Sequence, residues 1–490
     1  MKTLFTCLLA LSAVLSFAQK KPQPGNFAKT ITTDDLKKHL NIIAGKEMEG
    51  RETATEGQRK AAAYIENHFK QSGLAPGNKD GYQYYYNIYQ DSLVDARFEV
   101  NNEAFQLDKD FNPASNSNTA TLRFSEIVFI GRGATDSLNT IDLNGKLILV
   151  PANTATGLKG NPISLEILQK KGVAAILWVS NIYPRNNPAN RKSREILYAF
   201  KPSVLPQQFL ISETAARTII KDYSSVQPLN SVIKKYTADI LLDVKKQTKA
   251  LQTSNVIAML EGTDLKNEYL FLTAHYDHMG KNGDVIYYGA DDDGSGTVSI
   301  LELAEAFAKA KAVGKGPRRT IVFMTVSGEE KGLLGSEYFA DHPTLPLEKV
   351  TANLNIDMIG RSDPKRTLGD SLNYVYVVGD DKLSSDLRPI SEAMNKKYTK
   401  LELDYKYNDP NDKELIYYRS DHYNFAKNGV PIIFYFNGTH ADYHKPTDTP
   451  DKINYTLMAR RAQLIFYTAW EMANRNEILK RDLPLPELKR

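Results

Sequence analysis

At 490 residues the chain exceeds one ordinary domain and implies two or three. A hydrophobic content of 42% with 24% charged residues describes a soluble globular protein and excludes a disordered one. The formal charge of +4, spread over dispersed Lys and Arg, offers no basic stripe for nucleic acid and no acidic tail.

The first eighteen residues read as a signal peptide. Lys2 is a basic n-region, residues 4–15 form an apolar core, and Ser16-Phe17-Ala18 is a small-x-small cleavage site before Gln19. That core falls short of the ~20 residues a spanning helix needs, and no later segment has the length and apolarity of a membrane span. The expected product is exported, to the periplasm or beyond the cell. Cleavage removes the sole cysteine, Cys7, so the mature chain uses no disulfide.

Residues 19–30, rich in Lys, Pro and Gln, read as a disordered leader. A helix is expected from Thr33, capped by that residue, with Leu36, Leu40 and Ile43 on one face. A loop at Met48-Glu49-Gly50-Arg51 precedes a second helix over 55–72, ended by Gly73. Residues 31–115 are assigned to the first part of the main domain, and 82–111 have a strand-like texture. A polar run over 112–121 marks a boundary. Beyond it, 120–240 reads as an inserted β-rich domain, with short strands at 126–131, 146–150 and 174–179 and no clustered ligands. The main domain resumes over 250–475, where strands and helices alternate. That alternation predicts an α/β fold with a mostly parallel sheet and helices on both faces. Residues 476–490 are expected to fray.

The chemistry concentrates between 268 and 444. An apolar strand at 270–274 stops at His275-Tyr276-Asp277, and Asp291-Asp292-Asp293-Gly294-Ser295-Gly296 opens a helix. A strand at 320–326 runs into Gly328-Glu329-Glu330, another at 353–358 carries Asp357, and Asp442-Tyr443-His444 follows the run 430–436. Carboxylates and imidazoles just past the C-terminal ends of successive strands lie where an open α/β sheet holds its ligand. Imidazole and carboxylate donors of this kind suit zinc. Taken alone, the Asp run could be a calcium loop or an acidic cap, but it lacks the bidentate Glu and spacing of an EF-hand. Asp277 is placed to orient the His275 imidazole, whereas His278 is read as structural. Of the adjacent Glu329 and Glu330, one can bind metal while the other moves a proton. His422 and His440 compete with His444 for the last ligand position.

Together His275-x-Asp277, Gly289-Ala290-Asp291-Asp292-Asp293-Gly294-Ser295-Gly296, Gly328-Glu329-Glu330-x-Gly332, Asp357 and Tyr443-His444 resemble the co-catalytic di-zinc exopeptidases. That family includes bacterial leucyl aminopeptidases, glutamate carboxypeptidases and the inactive transferrin-receptor ectodomain. Met48-Glu49-Gly50-Arg51 with Thr55-Glu56-Gly57-Gln58-Arg59 resembles their amino-terminal signature, and 120–240 is similar to the protease-associated domain often inserted in them. The resemblance implies two Zn2+ per chain: Asp292 bridging, His275 and Asp357 on one metal, Glu330 and His444 on the other. It further implies Glu329 as general base, Asp277 as partner of His275, and peptide substrates attacked by a metal-bridging hydroxide. An aminopeptidase or dipeptidase is the expected activity. A carboxypeptidase, a non-catalytic binding ectodomain and a one-zinc glutaminyl cyclase are the alternatives. A carboxypeptidase needs a cation beside the metals, for which Arg361 and Arg419 are candidates.

Overall fold

The computed structural model describes residues 24–132, 134, 137–151, 163–180, 183, 188, 191–199, 204–226 and 232–486. The signal segment therefore lies outside the described residues. Thirteen strands carry the architecture: β1 Gln83–Val100, β2 Phe111–Pro113, β3 Ala120–Ile130, β4 Leu147–Pro151, β5 Ala175–Val179, β6 Gln207–Ile211 and β7 Ile233–Leu260. They continue with β8 Leu265–His275, β9 Arg319–Val326, β10 Val350–Ile356, β11 Tyr374–Val378, β12 Glu402–Asp404 and β13 Ile432–Phe436. Twelve of them follow the order β12-β11-β13-β10-β8-β9-β7-β3-β4-β5-β6-β2 in one twisted sheet, and β1 pairs with β7 off this path. Within it β9, β8, β10 and β13 are mutually parallel neighbours. The mostly parallel sheet read from the alternation of elements is present.

Period-two alternation assigns each face of the sheet to its own core. Leu270, Leu272, Ile321, Phe323, Leu354 and Ile433 pack in one cluster with helices α1 Thr33–Ile43, α2 Glu56–Gln71, α3 Gly296–Ala312 and α5 Tyr455–Asn474. Phe271, Val322, Met324, Phe434 and Phe436 point the other way, toward Phe339 of helix α4 Leu334–Asp341. Helix α1 starts one residue earlier than its expected cap implies, because the Thr32 hydroxyl accepts the Asp35 N–H at 3.1 Å. Helix α2 is capped by Thr55, and Gly73 follows it at φ +73°, a conformation open to glycine.

A second pair of cores serves β2 to β6 and the adjoining ends of β1 and β7. Ala96, Phe98, Val100 and Phe111, expected in the main domain, pack there with Phe129, Leu149 and Phe209. The 28-residue β7 belongs to both units: residues 256–260 pair with β9, residues 233–244 pair with β3, and β1 runs antiparallel beside it from 240 to 256. Chain segment and core therefore do not share a boundary at 120.

Two terminal expectations are corrected. Residues 24–30 are not a disordered leader: Phe27 and Ala28 are buried, and the Phe27 ring stacks on Trp470 at 5.8 Å. Residues 477–486 are docked instead of frayed. Leu479 is buried, Arg481 donates to the Leu347 and Val350 carbonyls, and Ser385 donates to Asp482. One apolar side chain and a few directed polar contacts suffice to hold a segment whose composition reads as a tail. Among the described residues, no helix is long and apolar enough to cross a membrane.

Candidate metal centre

Because β8, β9, β10 and β13 are parallel, their C-terminal ends reach one edge together, and each delivers acidic or imidazole side chains. His275 ends β8, Glu329 and Glu330 follow β9, Asp357 follows β10, and His444 lies in the loop after β13. Asp292 comes from a tight turn before α3 whose Asp292–Asp293 peptide is cis. Gly289 precedes that turn at φ +56°, and a Cβ there would fall 2.5 Å from the His278 ring. Only glycine lets the turn close on that imidazole.

The distances define two adjoining clusters. His275 Nε2 lies 3.2 Å from Asp292 Oδ1, 3.7 Å from Asp357 Oδ1 and 3.9 Å from Glu329 Oε2. His444 Nε2 lies 3.1 Å from Asp292 Oδ2 and 3.2 Å from Glu330 Oε2. Asp292 thus faces both imidazoles with different oxygens. All seven residues singled out in the sequence come together here. The competitors for the last position do not reach it: His440 Nε2 faces Asp291 at 3.2 Å, and His422 is buried against Phe434 and bonded to the Tyr417 carbonyl.

His278 departs from its expected structural role. Its Nδ1 lies 2.8 Å from Glu330 Oε1 and 3.9 Å from Asp292 Oδ2, within a second group of potential ligands. Its place three residues after His275 was the available signal. Asp277 departs in detail: the His275 Nδ1–H is 3.1 Å from the Asp277 backbone carbonyl but 3.9 Å from its carboxylate. The carboxylate instead accepts the Thr53 hydroxyl at 2.6 Å and the Glu329 N–H at 3.3 Å, joining three loops. Either acceptor fixes the tautomer that turns Nε2 toward the cluster.

Further residues brace the ligands. Ser420 Oγ donates to Asp357 Oδ2 at 2.7 Å. Asp293 accepts the backbone N–H groups of His275, Gly296 and Met358, so one carboxylate ties the ends of β8 and β10 to the start of α3. An Asp three residues before Gly296 is an N-cap spacing, and that signal was legible. Arg51 is wholly buried and donates to the carbonyls of Ile43, Tyr276, Tyr288 and Gly289.

Charge is out of balance in this interior. Against the burial that would raise it, the imidazoles of His275 and His444 hold Asp292 well below the usual carboxylate range. Glu330 is likewise drawn down to about 2 by His278 and His444, against its own burial and the Asp292 charge. His444 is lifted to about 10, its two carboxylate partners outweighing burial. Glu329 is pushed well up by burial, reinforced by Glu330 and Asp357. His275 Nε2, both His278 ring nitrogens, Asp292 Oδ2 and Glu330 Oε1 are buried without a hydrogen-bond partner. Orphaned nitrogen and oxygen donors converging on an acid-rich centre are suited to divalent cations such as zinc.

Asp292, Glu329 and Asp357 open onto a narrow cleft lined also by Met358, Ile416, Arg419, Ser420, Phe434, Phe436, Thr439 and Tyr443. A larger depression where Leu483 and Pro484 meet Tyr407 and Tyr417 includes none of the clustered ligands.

The model of peptidase family M28 matches residues 255–469, the span that holds every one of these strand ends. Those residues belong to peptidase family M28. A probable leucine aminopeptidase of Trichophyton verrucosum is 32% identical over 207 residues, 41% of this chain and 53% of that protein. The chain thus spans about half the length of the curated relatives it matches first. Likeness of fold to solved structures extends beyond the matched span. An aminopeptidase from Aneurinibacillus sp. strain AM-1 superposes with a TM-score of 0.59 at 18% identity, covering 95% of this chain and 100% of that one. A zinc aminopeptidase of Bacillus subtilis gives a TM-score of 0.51 at 18% identity, over 92% and 99% of the two chains.

Proposed function

We propose that this M28 chain is a zinc-dependent exopeptidase acting from the amino end of peptides, with two metals per chain. The position of Asp292 carries the assignment: its two oxygens face His275 and His444 separately, as a bridge between two ions requires. His275 and Asp357 would complete one ligand set, Glu330 and His444 the other, with His278 beside Glu330. Zinc held there would supply Lewis acidity toward a peptide carbonyl and bring the pKa of a water toward ~7.

The protein's own groups do the rest. Glu329 takes a proton from the attacking water and gives it to the leaving amine; burial and neighbouring carboxylates raise its affinity for that proton. Asp277 and Thr53 hold the Glu329 loop in register with His275. Met358, Ile416, Phe434 and Phe436 present an apolar wall to a substrate side chain. The acidic end of the cleft attracts a free α-ammonium group, and the relatives named aminopeptidases support the same end of the substrate. The segment 120–240, as an inserted domain, shapes access, and none of its described residues belongs to the clustered ligands. The test compares aminoacyl-anilides with N-blocked, C-terminally free peptides on zinc-loaded protein. Turnover of the anilides alone is expected; turnover of only the blocked peptides would refute the amino-end assignment.

A further inference from the structure

His278 is the imidazole that the five-ligand assignment leaves over. It comes three residues after His275, past the end of β8, and is wholly buried. Its backbone is fixed: the His278 N–H donates to the Arg51 carbonyl at 3.2 Å, and the Arg51 side chain is anchored to four carbonyls of its own. Gly289 leaves room for the ring, since a Cβ there would come within 2.5 Å of it.

That placement brings Nδ1 to 2.8 Å from Glu330 Oε1 and 3.9 Å from Asp292 Oδ2. At 2.8 Å an imidazole and a carboxylate ordinarily share a hydrogen bond. Here Nδ1 and Oε1 are both buried without a hydrogen-bond partner, so the two atoms lie side by side and do not point at each other. Leaving two polar atoms dry, close and unbonded is costly unless a third body draws both. Donor atoms bound to one zinc at ~2.0–2.2 Å lie roughly 2.8–4 Å apart, and each faces the ion instead of its neighbour. His444 Nε2 keeps the same spacings to the same two carboxylates, 3.1 Å to Asp292 Oδ2 and 3.2 Å to Glu330 Oε2. The two rings stand 5.9 Å apart between centroids, each reaching both carboxylates.

We infer that His278 is itself a ligand to the ion held by Glu330 and His444, making a set of two imidazoles and two carboxylates with Asp292. This rests on the two-metal reading above. The two positions are then unequal. The one at Glu330 carries four protein groups, the closed arrangement of a zinc site that holds its ion firmly. The other carries three, His275, Asp357 and the shared Asp292, and so keeps the open position that a catalytic zinc needs. Glu329 stands on that second side, its Oε2 3.9 Å from His275 Nε2. The proton shuttle and the open position thus fall on the same side of Asp292.

The experiment titrates metal-free protein with zinc against a chelator, and counts imidazoles per ion by X-ray absorption at about one zinc per chain. Wild type is expected to show two imidazoles on that first ion, from His278 and His444. His278→Asn keeps an N–H donor near the place of Nδ1 but offers no imidazole. It should show one imidazole, and its tightest zinc should weaken by more than about 100-fold, beyond the ~10–100-fold cost of losing a hydrogen bond that merely supports a ligand. His278→Asp, which supplies a carboxylate in place of the ring, should recover part of that affinity. A loss of about 100-fold or less in His278→Asn, or an imidazole count unchanged by it, overturns the assignment. So does a single imidazole on the first ion in wild type, a measurement that depends on no variant's folding. Uptake that stops short of two zincs per chain would refute the two-metal reading, while the imidazole count on the ion that does bind still decides the role of His278.

Discussion

Replacing Arg51 by Met should destabilise the protein and loosen its grip on metal together. The guanidinium is wholly buried and makes four hydrogen bonds, at 2.8 Å to the Ile43, Tyr276 and Tyr288 carbonyls and 3.0 Å to that of Gly289. Tyr276 lies between His275 and Asp277, and Gly289 opens the turn that carries Asp292, so one side chain sets the spacing of two ligand loops. Bonds to a charged donor are worth about 1.5–3 kcal/mol each. Their gross value is offset by the cost of burying the cation, visible in an Arg51 pKa lowered by burial to about 10. Removing one partner of such a buried network typically costs about 3–5 kcal/mol, because the carbonyls left behind stay dry and unpaired. Urea unfolding of EDTA-treated protein reads that loss, and competition with a chelator reads zinc affinity, expected to weaken about 10–100-fold as when a ligand's support is removed. Arg51→Lys should recover little, since one ammonium cannot address four carbonyls spread around a planar fork. A loss below about 1 kcal/mol in Arg51→Met, with zinc affinity unchanged, would show that the loops hold their spacing without this residue.

Glu329→Gln should keep zinc content near wild type while kcat falls about 10²–10⁴-fold, whereas Glu330→Gln should lose metal and recover partly in excess zinc; equal zinc loss in both would refute the division of labour. Asp292→Ala should not retain two tightly held metals by metal analysis, since it removes the group facing both imidazoles. His68, lowered from 6.5 to about 4 by burial and then by His39, is neutral in the fold. The unfolded chain takes its proton first as pH falls below 6.5, so His68 removes stability toward pH 4 and contributes nothing above 6.5. Urea unfolding of EDTA-treated wild type should therefore lose roughly 2–3 kcal/mol more than His68→Gln between pH 7 and 4.5; parallel losses would exclude that titration. Finally, N-terminal sequencing of protein from its native host should begin at Gln19, and an intact Met1-Lys2-Thr3 start would refute export through this segment.

Much of the site was legible because its residues sit at punctuated strand ends. His275, Glu329, Glu330 and Asp357 each follow an apolar run directly, and the Gly-rich turn around Asp292 carries its own backbone signature. What the sequence withheld was contact across loops. Nothing local says that Ser420 would brace Asp357 or that Arg51 would clasp carbonyls from residues more than 200 positions away. The docked segments at 24–30 and 477–486 were missed for a related reason. Their composition resembles that of a tail, and a single buried Phe27 or Leu479 decides the matter only once its pocket exists. The polar run at 112–121 signalled a boundary, but β1 and β7 carry hydrogen bonding from one unit into the other, with a register shift between Lys245 and Lys246.

The long pair β1 and β7 makes the second unit a graft on a stalk. Asn87 and Gln252 lie opposite each other in register, so cutting there leaves two chain ends a single sheet spacing apart, which a two-residue hairpin turn can close. The pair just inside that cut, Tyr86 and Thr253, cannot be traded away with it. Both side chains bond Ser327, at 2.9 Å each, immediately before the Gly328-Glu329 turn. Just beyond the cut the pair is braced by a third strand, Lys192–Leu197, which pairs with β1 at Tyr89, Gln90 and Ser92. Removing the outer unit would take that brace with it, whereas a trimmed protein that keeps Tyr86 and Thr253 keeps the anchorage at Ser327.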